Sequence, residues 1–215
     1  MPSLPSVHDR IAILGRTGSG KTVAGLWHLS KMPLDKMPFV IVDFKRDQEI
    51  RRLKAQEISE AKEIGKRGLY VFRADPNDDD DQIEEMLYDI WRREKTGLFI
   101  DEGYLLAKSR AFHAILMQGR SKRIPVITCS QRPVWLPRAV WSESNHFQVF
   151  QLVDDRDWDI VENFVKGLPD DPYPPDYHSF YFSLGDRRAS MAAPVPPASQ
   201  TIASIREKLG TLKFI

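Results

Sequence analysis

The sequence predicts an α/β protein: a mostly parallel central sheet flanked by helices, with a C-terminal β-hairpin and a short tail helix. Three observations predict it. Short apolar runs alternate with longer segments of helical periodicity, the order that a parallel sheet with crossover helices requires. Most of the runs are apolar almost throughout, as strands covered on both faces are. The 215 residues contain no internal repeat and fit one domain with a small appendage. We divide the chain into a domain over 1–190 and a tail over 191–215.

The elements follow in order. RIAIL supplies a first strand over Ile11–Leu14, and KTVAGLWHLSK a helix over Lys21–Lys31. The second strand is Phe39–Asp43, followed by a helix over Glu49–Glu63 and a third strand over Leu69–Phe72. Asp80–Glu94 is an amphipathic helix whose stripe is Ile83, Met86, Leu87, Ile90 and Trp91. A strand over Leu98–Asp101 precedes a helix over Ala111–Lys122. Strands over Val126–Ser130 and His146–Leu152 come next, then a helix over Asp157–Val165. LPDDPYPPD is a proline-rich loop, and HSFYFSLGDRRASMAA reads as a hairpin turning on Gly185-Asp186. APVPPAS is extended, and TIASIREKLG is a short helix closed by Gly210. The end of the chain is either a tail that docks on a neighbour or a frayed terminus.

Composition narrows the class. The chain is 42% hydrophobic and 28% charged, as expected for a soluble protein with a sizeable core. No run approaches the ~20 apolar residues of a membrane span, and MPSLPSVHDR lacks the apolar core of a signal peptide. One cysteine, Cys129, excludes an internal disulfide framework and points to a reducing, cytosol-like compartment. A net charge of +1 argues against a protein that coats nucleic acid, but not against an enzyme that grips a duplex through a few loops.

Two motifs carry the chemistry. GRTGSGKT, comprising Gly15, Arg16, Thr17, Gly18, Ser19, Gly20, Lys21 and Thr22, fits the phosphate-loop pattern without a mismatch. It lies between a strand and a helix, the context in which backbone N–H groups and the helix N-terminus cradle phosphates. Lys21 is expected to reach the β- and γ-phosphates of ATP, and the Thr22 hydroxyl to ligate Mg²⁺. GLFIDEGYLL places Asp101 and Glu102 at the end of a buried strand. Asp101 suits a Mg²⁺ ligand through the metal's water shell, and Glu102 a general base on the attacking water. The pair favours a hydrolysing ATPase of the P-loop, RecA/ASCE-like fold. The strand ITCS then ends in Gln131 and Arg132. Where such a strand is inserted between the phosphate-loop and Asp-Glu strands, Gln131 ends beside the γ-phosphate and can sense it. The alternative is a plain strand cap.

GRTGSGKT, IVDFKRD, LFIDEGYLL and GRSKRIPVITCSQRP together resemble the FtsK–HerA superfamily of DNA-pumping ATPases. Asp43 and Lys45 match that family's Asp-x-Lys on the second strand. The chain shows none of the extra domains of the cellular members, and so looks most like the genome-packaging ATPases of tailless, internal-membrane viruses and phages. The resemblance implies a homo-oligomeric ring, hexamer or pentamer, that moves double-stranded DNA and meets a capsid, portal or membrane protein of a virion. It implies the host cytoplasm or a virion as the location. It also implies an arginine supplied in trans, with Arg120 the first candidate and Arg123 and Arg132 behind it. A solvated basic helix end is the alternative for Arg120.

Competing functions are an export or conjugation-type ATPase with a membrane partner, and a small-molecule kinase. A guanine-reading Asn-Lys-x-Asp motif is absent. ADPNDDDDQIEE fails the calcium-loop template, because Asp80 and Met86 stand where Gly and Glu are needed. It reads as the acidic start of a helix.

Overall fold

A computed structural model describes residues 3–75 and 79–211. Its elements are β1 (Arg10–Leu14), α1 (Lys21–Lys31), β2 (Pro38–Val42), α2 (Gln48–Arg52), β3 (Gln56–Ile58), β4 (Gly68–Phe72), α3 (Asp80–Arg93) and β5 (Gly97–Ile100). They continue with α4 (Arg110–Lys122), β6 (Val126–Ser130), α5 (Arg138–Glu143), β7 (His146–Val149), α6 (Asp155–Phe164), β8 (Ser179–Ser183), β9 (Ser190–Ala192) and α7 (Ala198–Thr211).

The nine strands of the described residues form one sheet in the order β3-β4-β2-β5-β6-β1-β7-β8-β9. Pairing is parallel from β3 through β7 and antiparallel from β7 to β9. β6 lies between β1 and β5, so the strand ending in Gln131 separates the phosphate-loop strand from the Asp-Glu strand, as expected.

The sheet is a wall between two apolar layers. Along β1, Ala12 and Leu14 point into the layer made with α3, α4, α5 and α6, while Ile11 and Ile13 point into the layer made with α1, α2 and α7. All four are buried. This explains why the strand reads as unbroken hydrophobicity: period-two alternation remains, but both faces are dry.

Three expectations need correction. The predicted helix Glu49–Glu63 breaks after Arg52. Asp47 caps its start, accepting from the N–H groups of Glu49 at 2.8 Å and Ile50 at 3.3 Å. Lys54 then turns left-handed with φ 54°, and Gln56–Ile58 adds to the edge of β4. Leu53 packs into one layer and Ile58 into the other. One straight helix cannot deliver both to opposite faces of a sheet, so the chain crosses over. The second correction is the hairpin turn. β8 and β9 are joined by residues 184–189 rather than by Gly185-Asp186 alone, because the Ala189 N–H leaves the hairpin and donates to Lys166 O at 2.7 Å. Third, Gly210 does not end the last helix, which runs through it to Thr211. α7 buries Thr201, Ile202 and Ile205 and packs on α1. β3, α5 and the short 3-10 turns at Gly103–Leu106 and Pro133–Trp135 were not expected.

Candidate active site

The loop after β1 is stapled to both strands beside it. The Gly15 N–H donates to Ser130 O on β6 at 3.2 Å, and the Arg16 N–H donates to Gln151 O beyond β7 at 2.8 Å. Gly18 and Gly20 take φ of 78° and 100°, which side chains rarely tolerate. Gly20 caps α1 with no side chain, so the N–H groups of the first turn face the loop. The Ser19 hydroxyl oxygen is buried with no hydrogen-bond partner among the described residues. Lys21 is buried, and its ammonium donates to Arg16 O at 2.9 Å, across the mouth of the loop. Burial holds its pKa below the ordinary lysine value. An orphaned hydroxyl, open N–H groups and a buried ammonium together make a receptor for phosphate oxygens.

β5 brings its acids to the same place. The Thr22 hydroxyl donates to Asp101 Oδ1 at 2.9 Å. Burial pushes the Asp101 carboxyl up to about 7, with the Asp47 and Glu102 charges adding to the shift. A divalent cation would remove that penalty, and the hydroxyl–carboxylate pair is a donor set suited to a hard ion. Among the described residues no group of three His, Cys, Asp or Glu side chains could hold a metal by themselves. A cation here therefore needs phosphate and water oxygens to complete its shell.

Glu102 is buried and paired with the Lys45 ammonium. Gln131 sits between the two motifs. Its side-chain oxygen accepts from the Thr17 hydroxyl at 2.5 Å, and its backbone N–H faces Glu102 Oε2 at 3.4 Å. Its amide nitrogen reaches Tyr104 Oη at 3.4 Å. The chain therefore brings Lys21, Thr22, Asp101, Glu102 and Gln131 together.

Arg120 is not among them. It lies exposed in the last turn of α4, where its charge acts on Asp9 and Arg10 at the start of β1, the end of the strand away from the loop. Arg123 caps the same helix with φ 55°. Arg132 stays beside the site: it stacks over Trp135 at 5.2 Å and lines a surface pocket with Arg16, Thr17, Gln131 and Asp154. Asn77 of the rejected calcium-loop reading lies outside the described residues, whereas Asp79 starts α3 and accepts from the Asp75 N–H at 2.7 Å.

Sequence reasoning missed a second ring of residues. Arg16 Nε donates to Gln151 Oε1 at 2.9 Å, and Gln151 Nε2 donates to Pro174 O at 2.8 Å and to Asp176 Oδ1 at 3.2 Å. The proline-rich loop is thereby tied to the phosphate loop. Tyr177, left-handed at φ 60°, lies against Gly20. The available signal was Gln151 itself, an amide at the end of an apolar run.

No protein-family model matches the chain. It is 37% identical over 211 residues to the DNA packaging ATPase P9 of Enterobacteria phage PRD1, spanning 93% of each. Among solved structures it is similar to the genome packaging NTPase B204 of Sulfolobus turreted icosahedral virus 2 in complex with ATP-gammaS. That similarity has a TM-score of 0.69 at 17% identity, over 89% of this chain and 100% of that one. It is also similar to EssC (ATPases 2 and 3) from Geobacillus thermodenitrificans, with a TM-score of 0.65 at 11% identity, over 97% of this chain and 45% of that one. At those identities the structures share the fold. The match to P9 over 93% of each chain, with an intact phosphate loop and Asp-Glu strand, shows more: the chain belongs to the family of viral DNA-packaging ATPases.

Proposed function

We propose that this protein is an ATP-driven motor that pumps double-stranded DNA into a viral capsid. The observation that carries the reading is the convergence of Lys21, Thr22, Asp101, Glu102 and Gln131 at the ends of three adjacent strands. In this reading Lys21 and the backbone of residues 15–22 hold the β- and γ-phosphates, and Glu102 takes a proton from the attacking water. Gln131, already bonded to Thr17 of the loop, reports whether the γ-phosphate is present. Thr22 and Asp101 would hold Mg²⁺, which when bound neutralises charge between the phosphates.

The relatedness to P9, a DNA packaging ATPase, supports DNA as the substrate; the working form in this reading is a homo-oligomeric ring, hexamer or pentamer. In such a ring Arg120 would reach a neighbour's γ-phosphate, which agrees with its place away from its own site. Residues 1–190 act as the motor domain and 191–215 as a tail, whose helix α7 packs on α1. A capsid, portal or membrane protein of the virion is the expected docking partner, in host cytoplasm or on the particle. Among the described residues no helix is long and apolar enough to cross a membrane.

The test is ATP hydrolysis by concentrated protein with and without long duplex DNA, using Glu102→Gln as the blank. Stimulation by DNA that disappears in the variant is the expected result. Hydrolysis indifferent to DNA would remove the translocase and keep the ATPase. Transfer of phosphate to a small acceptor would remove both.

A further inference from the structure

A basic run, Arg51-Arg52-Lys54, plays no part in the nucleotide site. The fold sets it at the edge of the sheet, with β2, β5 and β6 standing between β4 and β1. There Lys54, in the turn between α2 and β3, lines an open groove with Arg67, just before β4, and Arg206 of α7. The groove has a volume of about 450 Å³. Leu53, Leu69 and Leu209 give it an apolar lining, and no carboxylate is among the residues that line it. Three segments far apart in the chain thus bring their cations to one place.

The backbones of these residues are fixed while their charges stay unpaired. The turn before β4 is held by Tyr70, whose hydroxyl donates to Arg67 O at 3.0 Å and accepts from the Gly65 N–H at 2.9 Å. α7 is pinned by Lys208, whose ammonium donates to Ser30 O and, at 3.4 Å, to Met32 O at the end of α1. The Arg206 guanidinium donates to Arg52 O, which ties α7 to α2. Among the described residues none of Lys54, Arg67 and Arg206 forms an ion pair. Other clefts differ. The one beside Gln131 sets Arg16 and Arg132 against Asp154 and Asp157. The one between α3 and the Gly103–Leu106 turn sets Lys108 and Arg110 against Asp80, Asp81 and Glu84.

We propose that this groove grips the phosphate backbone of duplex DNA. The inference rests on the translocase reading and gives it a contact surface. A motor that moves over any sequence holds phosphates rather than bases. Three unpaired cations, two of them guanidinium forks, bind phosphate oxygens without reading a base. A duplex carries one negative charge per ~1.7 Å of its axis, a density that suits a groove free of carboxylates better than the mixed charges of a protein surface do. With a net charge of +1 over the whole chain, such attraction has to be local. The groove lies away from the phosphate loop, so DNA and nucleotide do not compete for the same cations. Arg206 belongs to α7, which also packs on α1, so the tail helix completes the groove and joins it to the helix that starts at the phosphate loop.

The experiment measures Kd for a long duplex over a range of salt concentrations, together with hydrolysis with and without that duplex. It compares the native protein with Lys54→Gln, Arg67→Gln, Arg206→Gln, the three combined, and Arg92→Gln, an exposed cation on α3, as the control. Each groove substitution weakens binding by about fivefold near ~0.1 M salt and lowers the slope of log Kd against log salt by about one, equally on duplexes of different sequence. The triple variant loses a slope of about three, whereas R92Q binds as the native protein does. DNA-free kcat and KM for ATP hold their native values, and stimulation needs more DNA. Arg206→Lys keeps the charge and retains the affinity, which a lost bond to Arg52 O alone would not explain. Matching urea midpoints show that the fold is intact. Native affinity in the triple variant, or an equal loss in R92Q, overturns the proposal and leaves the groove to an acidic protein surface. If the native protein binds no duplex, the translocase reading falls and the proposal with it.

Discussion

Both ends of the central strands bury charge, yet only one end is built as a site. At the phosphate end, Lys21, Asp101 and Glu102 surround a loop that leads into the open first-turn N–H groups of α1. At the opposite end, Arg10 is buried where β1 begins, with Nη1 donating to Glu143 O at 3.4 Å. Nearby, Asp9 faces His146 at 3.7 Å, and the Tyr181 hydroxyl meets His146 Nδ1 at 2.9 Å and Ser3 O at 3.0 Å. Those groups tie the chain start to β7 and β8, and no glycine-lined turn there exposes a run of N–H groups. Burial of charge is therefore a poor marker of function. Open donors on a fixed backbone, converging with an acid pair, are a better one.

The comparison can be tested from both sides. Glu102→Gln at the phosphate end should lower kcat by about 10⁴-fold, the upper range for general-base catalysis, with nucleotide affinity little changed. Steady-state hydrolysis and nucleotide titration separate the two. A small effect would move the base elsewhere and weaken the distinction between the ends.

Arg120→Ala tests the opposite end. If a neighbouring subunit uses this arginine, hydrolysis at ring-forming concentrations falls by about 10³-fold. Being exposed, the position should change stability by no more than about 0.5 kcal/mol. Unchanged hydrolysis would make this end purely structural and leave Arg132, already beside the site, as the arginine to replace next.

A third prediction concerns a buried titratable side chain with no catalytic duty. His28 on α1 hydrogen-bonds Gln148 Oε1 at 2.9 Å, and burial lowers its pKa to about 4. The folded protein thus resists protonation that the unfolded chain accepts near 6.5. The stabilisation is complete above pH 6.5 and is lost progressively as pH falls toward 4, by about 3 kcal/mol in all. Urea unfolding across that range should show the slope, and His28→Gln should flatten it.

The smallest expected effect is steric. A Cβ on Gly97, where β5 starts, would lie 2.1 Å from Phe39 Cε1 across the sheet. Gly97→Ala should cost about 2 kcal/mol through overpacking, read from the urea midpoint, while KM for ATP stays put. A shift in KM would show that packing at the start of β5 is felt at its catalytic tip.

What the sequence determined by itself was whatever is encoded over a few neighbouring residues. Lys21 and Thr22 follow the glycines that shape the loop they serve, and Asp101 and Glu102 end the run that buries their strand, so position along the chain and position in space coincide. That Gln131 lies between these motifs was expected only on the condition of an inserted strand, because strand order is set by distant pairing. The remaining features depend on distant partners. Residues 49–63 are good helix formers, but burying Leu53 and Ile58 on opposite faces of the sheet overrides that propensity. Gln151 and the proline-rich loop join the site only because β7 pairs beside β1. Lys45 was legible as a family position, yet its pairing with Glu102 spans 57 residues. Contacts of that span leave no local periodicity to read, because their geometry is set by how whole strands align and not by the residues beside them in the chain.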